Sequence, residues 1–123
     1  MDWKIELVPI PVTDVDRAKA FYVDQVGFVE DHDHHVADGL RFVQLTPPGS
    51  ACSVVLGEGI TEMAPGSQLL LQVVVEDVAA AREQLIARGV EASDVDEQPW
   101  GLFVTFADPD GNTWALQQPP PPR

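Results

Sequence analysis

All three histidines of this 123-residue chain fall in one stretch, "DHDHHVADG", Asp31 to Gly39, where they alternate with carboxylates. Imidazole nitrogens and carboxylate oxygens at that density are divalent-metal ligands by type. On a strand, alternation puts His32 and His34 on one face and Asp31, Asp33 and His35 on the other. Two histidines two apart can chelate, but a full site needs further ligands and neighbours that orient them. The competing reading is an acidic, pH-sensitive hairpin rim. The single cysteine, Cys52, lies in a strand-like run beside apolar residues. A nucleophilic thiol would need a nearby base, so a buried, inert Cys52 is the expectation. No nucleophile elbow, phosphate-binding loop or dinucleotide fingerprint occurs.

The elements that must position such groups follow from a repeat. Sliding the sequence by 63 residues lays "LVPIPVTDVDRAK" (Leu7–Lys19) over "LLQVVVEDVAAAR" (Leu70–Arg82). Leu7 then falls on Leu70, Val12 on Val75, Asp14 on Asp77, Val15 on Val78 and Ala18 on Ala81. "IELVPIPV" and "LLLQVVV" are strand-length runs rich in β-branched residues. Asp14 and Asp77 stand at helix N-caps, and Gly27 and Gly89 at helix stops. Three strand-like runs follow each helix: 28–35, 40–46 and 51–57, then 90–97, 102–107 and 113–118. "ADG", "PPGS" and "DPDG" punctuate them. The pattern predicts one α+β domain of two tandem βαβββ modules, 1–57 and 69–118, with a linker over 58–68 and a stiff Pro-rich tail over 119–123.

Composition narrows the partners. Twenty Asp and Glu against seven Lys and Arg give a net charge of −13. That field repels phosphate backbones and anionic lipid heads, so neither nucleic acid nor a membrane surface is expected as a partner. It attracts cationic small molecules, or it simply keeps the protein soluble. The N-terminal "MDWKIELVPIPV" has neither a basic n-region nor an apolar h-region, and one cysteine cannot make an intrachain disulfide. A cytoplasmic location is expected.

"PVTDVDRAKAFYVDQVGF", "VVVEDVAAAREQLIARGV" and "FADPDGNTWALQ", set in that repeat, resemble the vicinal oxygen chelate superfamily, which includes glyoxalases, ring-cleaving dioxygenases and bleomycin-resistance proteins. The resemblance implies curved mixed sheets around a central cavity. It also implies a divalent metal held by His, Glu or Gln on the strands. The positions matching those ligands are Leu7, Leu70 and Ala115, and "SVVLG" at the remaining one offers no carboxylate or imidazole. Leucine and alanine have no lone pairs for Mg²⁺, Mn²⁺, Fe²⁺ or Zn²⁺, so no metal or other cofactor is expected. "PWGLFVTFADPDGN" (Pro99–Asn112) is similar to the metal-free, bleomycin-resistance branch, whose members sequester a cationic antibiotic at a dimer interface.

The resemblance therefore implies a homodimer that binds a small molecule, with a cationic antibiotic as one candidate. Alternation from the three lost ligand positions adds Pro9, Gln72 and Gln117 to Leu7, Leu70 and Ala115 as ligand-binding candidates. Trp100 joins them as a stacking surface, with rim or core packing as its other reading. The whole set could also pack together and leave no cavity. The alternative function is an enzyme of the same superfamily (lyase, isomerase or dioxygenase type). It would use a displaced metal site, with Glu6, His32 and His34 as the available donors, or metal-free acid–base chemistry.

Overall fold

The computed structural model describes residues 1–121. The last two residues of the expected Pro-rich tail lie outside the described residues. Two four-stranded mixed sheets each follow one topology. In the first, β1 (Leu7–Pro9), β2 (Val29–Ala37), β3 (Leu40–Thr46) and β4 (Ser53–Glu58) are ordered β1-β4-β3-β2. In the second, β5 (Leu71–Val74), β6 (Asp96–Gln98), β7 (Gly101–Ala107) and β8 (Thr113–Gln118) are ordered β5-β8-β7-β6. The first strand of each pairs parallel with the last, and the other pairings are antiparallel. The fold is α+β, and no helix among the described residues is long and apolar enough to cross a membrane.

The two N-caps form as their residue types dictate. Asp14 Oδ1 accepts from Arg17 N, and Asp77 Oδ1 accepts from Ala80 N, each at 3.0 Å, opening α1 (Val15–Ala20) and α2 (Val78–Ala87). Gly27 ends the first helical run with φ 97°, a conformation in which a Cβ would be strained. Before that, α1 widens into a π-helical segment, Phe21–Val26. The extra residue per turn carries both Phe21 and Tyr22 into the core, where Tyr22 meets Trp114 and Phe21 meets Phe106 of the second sheet. The helix-facing sides of both sheets thus share one core, with Val43, Leu45 and Leu56 from the first and Val104, Trp114 and Leu116 from the second.

Polar groups also cross between the halves. The buried Asp108 carboxylate accepts from Tyr22 Oη at 2.7 Å and Asn112 Nδ2 at 2.8 Å, and from the backbone N–H groups of Asp110 and Asn112 at 2.9 Å. Tyr22 Oη accepts from Trp114 Nε1 at 2.9 Å. Burial and the adjacent carboxylate push the Tyr22 phenol above its ordinary range. Here "DPDGN" does structural work, tying its own turn to the first helix.

Several strands differ from the sequence expectation for local reasons. The run at 69–75 becomes strand only from Leu71, because Leu70 adopts φ 53° and gives its N–H to Thr113 Oγ1 at 2.8 Å. The run at 90–97 shrinks to Asp96–Gln98 with an isolated bridge from Ala92 to Phe106. Ser93 Oγ takes the Thr105 N–H at 2.9 Å, so a side chain replaces part of the ladder. All three histidines lie in β2, with Asp38 and Gly39 in the turn after it, and a bulge between Glu30 and His32 breaks the expected alternation. Asp31 turns to accept from Thr46 Oγ1 instead of joining Asp33 and His35.

Asp33 serves the helix side of that sheet. It takes a two-pronged contact from Arg41 at 2.9 and 3.1 Å and another from Lys19 at 2.8 Å. The Arg41 guanidinium, then the Lys19 ammonium, hold its carboxyl well below the usual carboxylate range. A depressed folded-state value means stability that is fully present above the unfolded value and lost as pH falls below it. Asp33→Asn is therefore expected to flatten the loss of stability below about pH 4 in acid titrations followed by circular dichroism. An unchanged acid limb would contradict this.

Candidate functional site

The face of the second sheet that points away from the helices carries a cavity of about 370 Å³. Strand alternation builds it. Leu102, Val104 and Phe106 of β7 pack on the core side, so Phe103 and Thr105 point out. On β8, Trp114 and Leu116 are core, leaving Ala115 and Gln117 outward. Gln72 is the register partner of Ala115, which is itself opposite Thr105. Asp96 and Gln98 from β6, with Leu70 and Trp100, complete the wall.

Four of the residues singled out from sequence, Leu70, Gln72, Trp100 and Ala115, therefore come together in one cavity. Gln117 adjoins them. Its Oε1 accepts from Gln72 Nε2 at 2.6 Å, and its Nε2 donates to the Trp100 carbonyl at 3.0 Å. Gly101 makes room for that reach: at φ 148°, a Cβ would stand 3.3 Å from the Gln117 side chain and 2.7 Å from the Gln118 carbonyl. Trp100 is 61% exposed and so is a rim aromatic, free to cover a ligand. Leu70 is equally open at 61%, although Ala115 at the floor is buried.

Leu7 and Pro9 are not brought to this cavity. They lie on β1 of the other sheet, half-buried, opposite Ser53 and Val55. The Pro9 carbonyl accepts from Gln68 Nε2 at 3.1 Å. Glu6 is exposed just before β1, and its carbonyl accepts from Ser53 N at 2.9 Å. His32 and His34 stack at 5.5 Å on the sheet side that carries Phe42 and Gln44, their register partners. Near them Thr46 Oγ1 and Ser53 Oγ are 2.7 Å apart, in a polar row that also takes in Asp31 and Gln44. Among the described residues, no group of three or more His, Cys, Asp or Glu is arranged to hold a metal ion. Leu70 and Ala115, at positions matching the superfamily's ligands, supply no lone pair, so those positions do not fit its metal.

Asp96, Gln98, Phe103 and Thr105 were not singled out from sequence. Extending period-two alternation to "GLFVTFA" would have marked Phe103 and Thr105. Asp96 and Gln98 sit on a strand of only three residues and gave no such signal. They matter to the chemistry. Asp96 puts a carboxylate, held by Gln98 Nε2 at 3.0 Å, into an otherwise uncharged wall. An aromatic rim, an apolar floor, amides and one carboxylate suit a planar or cationic small molecule.

Comparison with known proteins agrees with the fold. The family model for the Glyoxalase/Bleomycin resistance protein/Dioxygenase superfamily matches residues 4–116. The uncharacterized protein YetH of Bacillus subtilis is 29% identical over 119 residues, covering 94% of this chain and 98% of its own. Among solved structures, TnmS3, an antibiotic binding protein from Streptomyces sp. CB03234, superposes with a TM-score of 0.88 at 37% identity, covering 97% of this chain and 98% of that one. A glyoxalase/bleomycin resistance protein from the same organism superposes with a TM-score of 0.83 at 38% identity over 94% of this chain and all of that one.

Proposed function

We propose that this chain, which belongs to the Glyoxalase/Bleomycin resistance protein/Dioxygenase superfamily, is a metal-free binding protein for a planar, cationic small molecule of antibiotic type. One observation carries the reading. The cavity lined by Leu70, Gln72, Asp96, Trp100, Phe103 and Ala115 has a stacking surface, orienting amides and a carboxylate, but no donor at the superfamily's ligand positions. The similarity to an antibiotic binding protein over nearly the whole chain supports it. So does the net charge of −13, which also disfavours nucleic acid and anionic membranes.

Leu70 and Trp100, both in the cavity wall, are each 61% exposed, so the cavity opens to solvent there. In this reading a second copy of the chain closes it, bringing the face with Leu7, Pro9, His32 and His34 over the ligand. The protein is read as a cytoplasmic homodimer, in keeping with a lone free Cys52.

A thermal-shift panel of cationic antibiotics and aromatic metabolites tests the reading, with metal analysis of the same sample. At least one compound is expected to raise the melting temperature saturably. Trp100→Ala is expected to weaken that compound about tenfold, the effect of removing one exposed stacking surface. Stoichiometric metal lost on substituting Glu6 or the histidines would overturn the proposal.

A further inference from the structure

We propose that a second cavity, between the π-helical segment and α2, binds a small monocarboxylate with an apolar body. Its volume is about 250 Å³. It lies on the helix side of the second sheet and shares no lining residue with the outer-face cavity. Phe28, Leu85, Phe106 and Leu116 form a buried floor, and the Pro47–Pro48 turn closes one side. At its polar edge stand Gln25, Gln84 and Arg88.

Charge selects the ligand. The chain carries 20 Asp and Glu, yet none lines this cavity. Arg17, Lys19, Arg41 and Arg82 are each within ion-pair distance of a carboxylate, whereas Arg88 pairs with none among the described residues. Its backbone is anchored beside the cavity. The Arg88 carbonyl accepts from Gln25 Nε2 at 3.0 Å, and Nη1 stands 3.0 Å from where a Cβ on Gly27 would be. A planar guanidinium presents two parallel N–H donors to a carboxylate, leaving the ligand's apolar body to the floor. The volume suits on the order of ten non-hydrogen atoms.

Octanoate has that size, and octan-1-ol supplies the same body without the charge. Isothermal titration of the full chain is expected to show octanoate binding at least about tenfold more tightly than octan-1-ol. Arg88→Gln is expected to weaken octanoate by about ten- to hundredfold and leave octan-1-ol unchanged. Arg88 is exposed and its side chain makes no hydrogen bond among the described residues, so this variant keeps the fold. Methyl resonances of Val73, Leu85 and Leu116 should move with octanoate. Equal affinities, an unaffected Arg88→Gln, no saturable binding at millimolar octanoate, or shifts confined to the Trp100 face would each overturn the site.

Discussion

Asp108→Ala is expected to lower the unfolding free energy by about 3–5 kcal/mol in chemical denaturation. The substitution removes the acceptor of four hydrogen bonds at once, two from side chains and two from the backbone N–H groups of Asp110 and Asn112. Tyr22 and Asn112 are both fully buried, so water does not replace what they lose. Tyr22 Oη would still accept from Trp114 Nε1 but would have no acceptor of its own. Asp108→Asn keeps the shape but turns an NH₂ group toward a donor, and a smaller loss is expected. A cost below about 1 kcal/mol for the alanine variant would show that the network does not join the two halves energetically.

Ala115→Phe is expected to weaken the compound identified by thermal shift by about a hundredfold or more, while stability changes by no more than about 1 kcal/mol. Ala115 lies on the floor of the 370 Å³ outer-face cavity, so a ring added there enters ligand space. Val104, one register pair away, points into the core with no exposed surface. Val104→Phe should therefore cost about 1–3 kcal/mol of stability through overpacking. Retained binding in Ala115→Phe would place the ligand elsewhere. Matching stability losses in the two variants would mean that the two faces of this sheet are not distinguished as described.

Some of the candidate site was legible in the sequence because it depended on local pattern. Superposing Leu7 on Leu70 places each beside a β-to-α junction, and alternation then selects Gln72 with Leu70 and Gln117 with Ala115. That logic needs an uninterrupted strand. It failed at Asp31, where a bulge adds a residue, and it could not reach Asp96, whose strand is cut short by Ser93. It also could not say that Leu7 and Leu70 stand apart in one chain. Their sheets meet through the helix faces, and no residue of the first sheet lines the outer-face cavity.

The sequence by itself determined the repeated module, the two aspartate N-caps, the glycine helix stops and the lack of donors at Leu70 and Ala115. Each is a property of residue type at short range, set by backbone conformation, side-chain hydrogen bonding to neighbouring amides, or the presence of a lone pair. Only the tertiary structure decided which face of each sheet is buried, that the helix widens at Phe21, that Asp108 anchors Tyr22 and Trp114, and that Arg88 overlooks an apolar cavity. Those outcomes rest on contacts between residues as much as 86 and 92 positions apart. Alternation specifies two faces but not which one is buried, and packing between distant segments makes that choice.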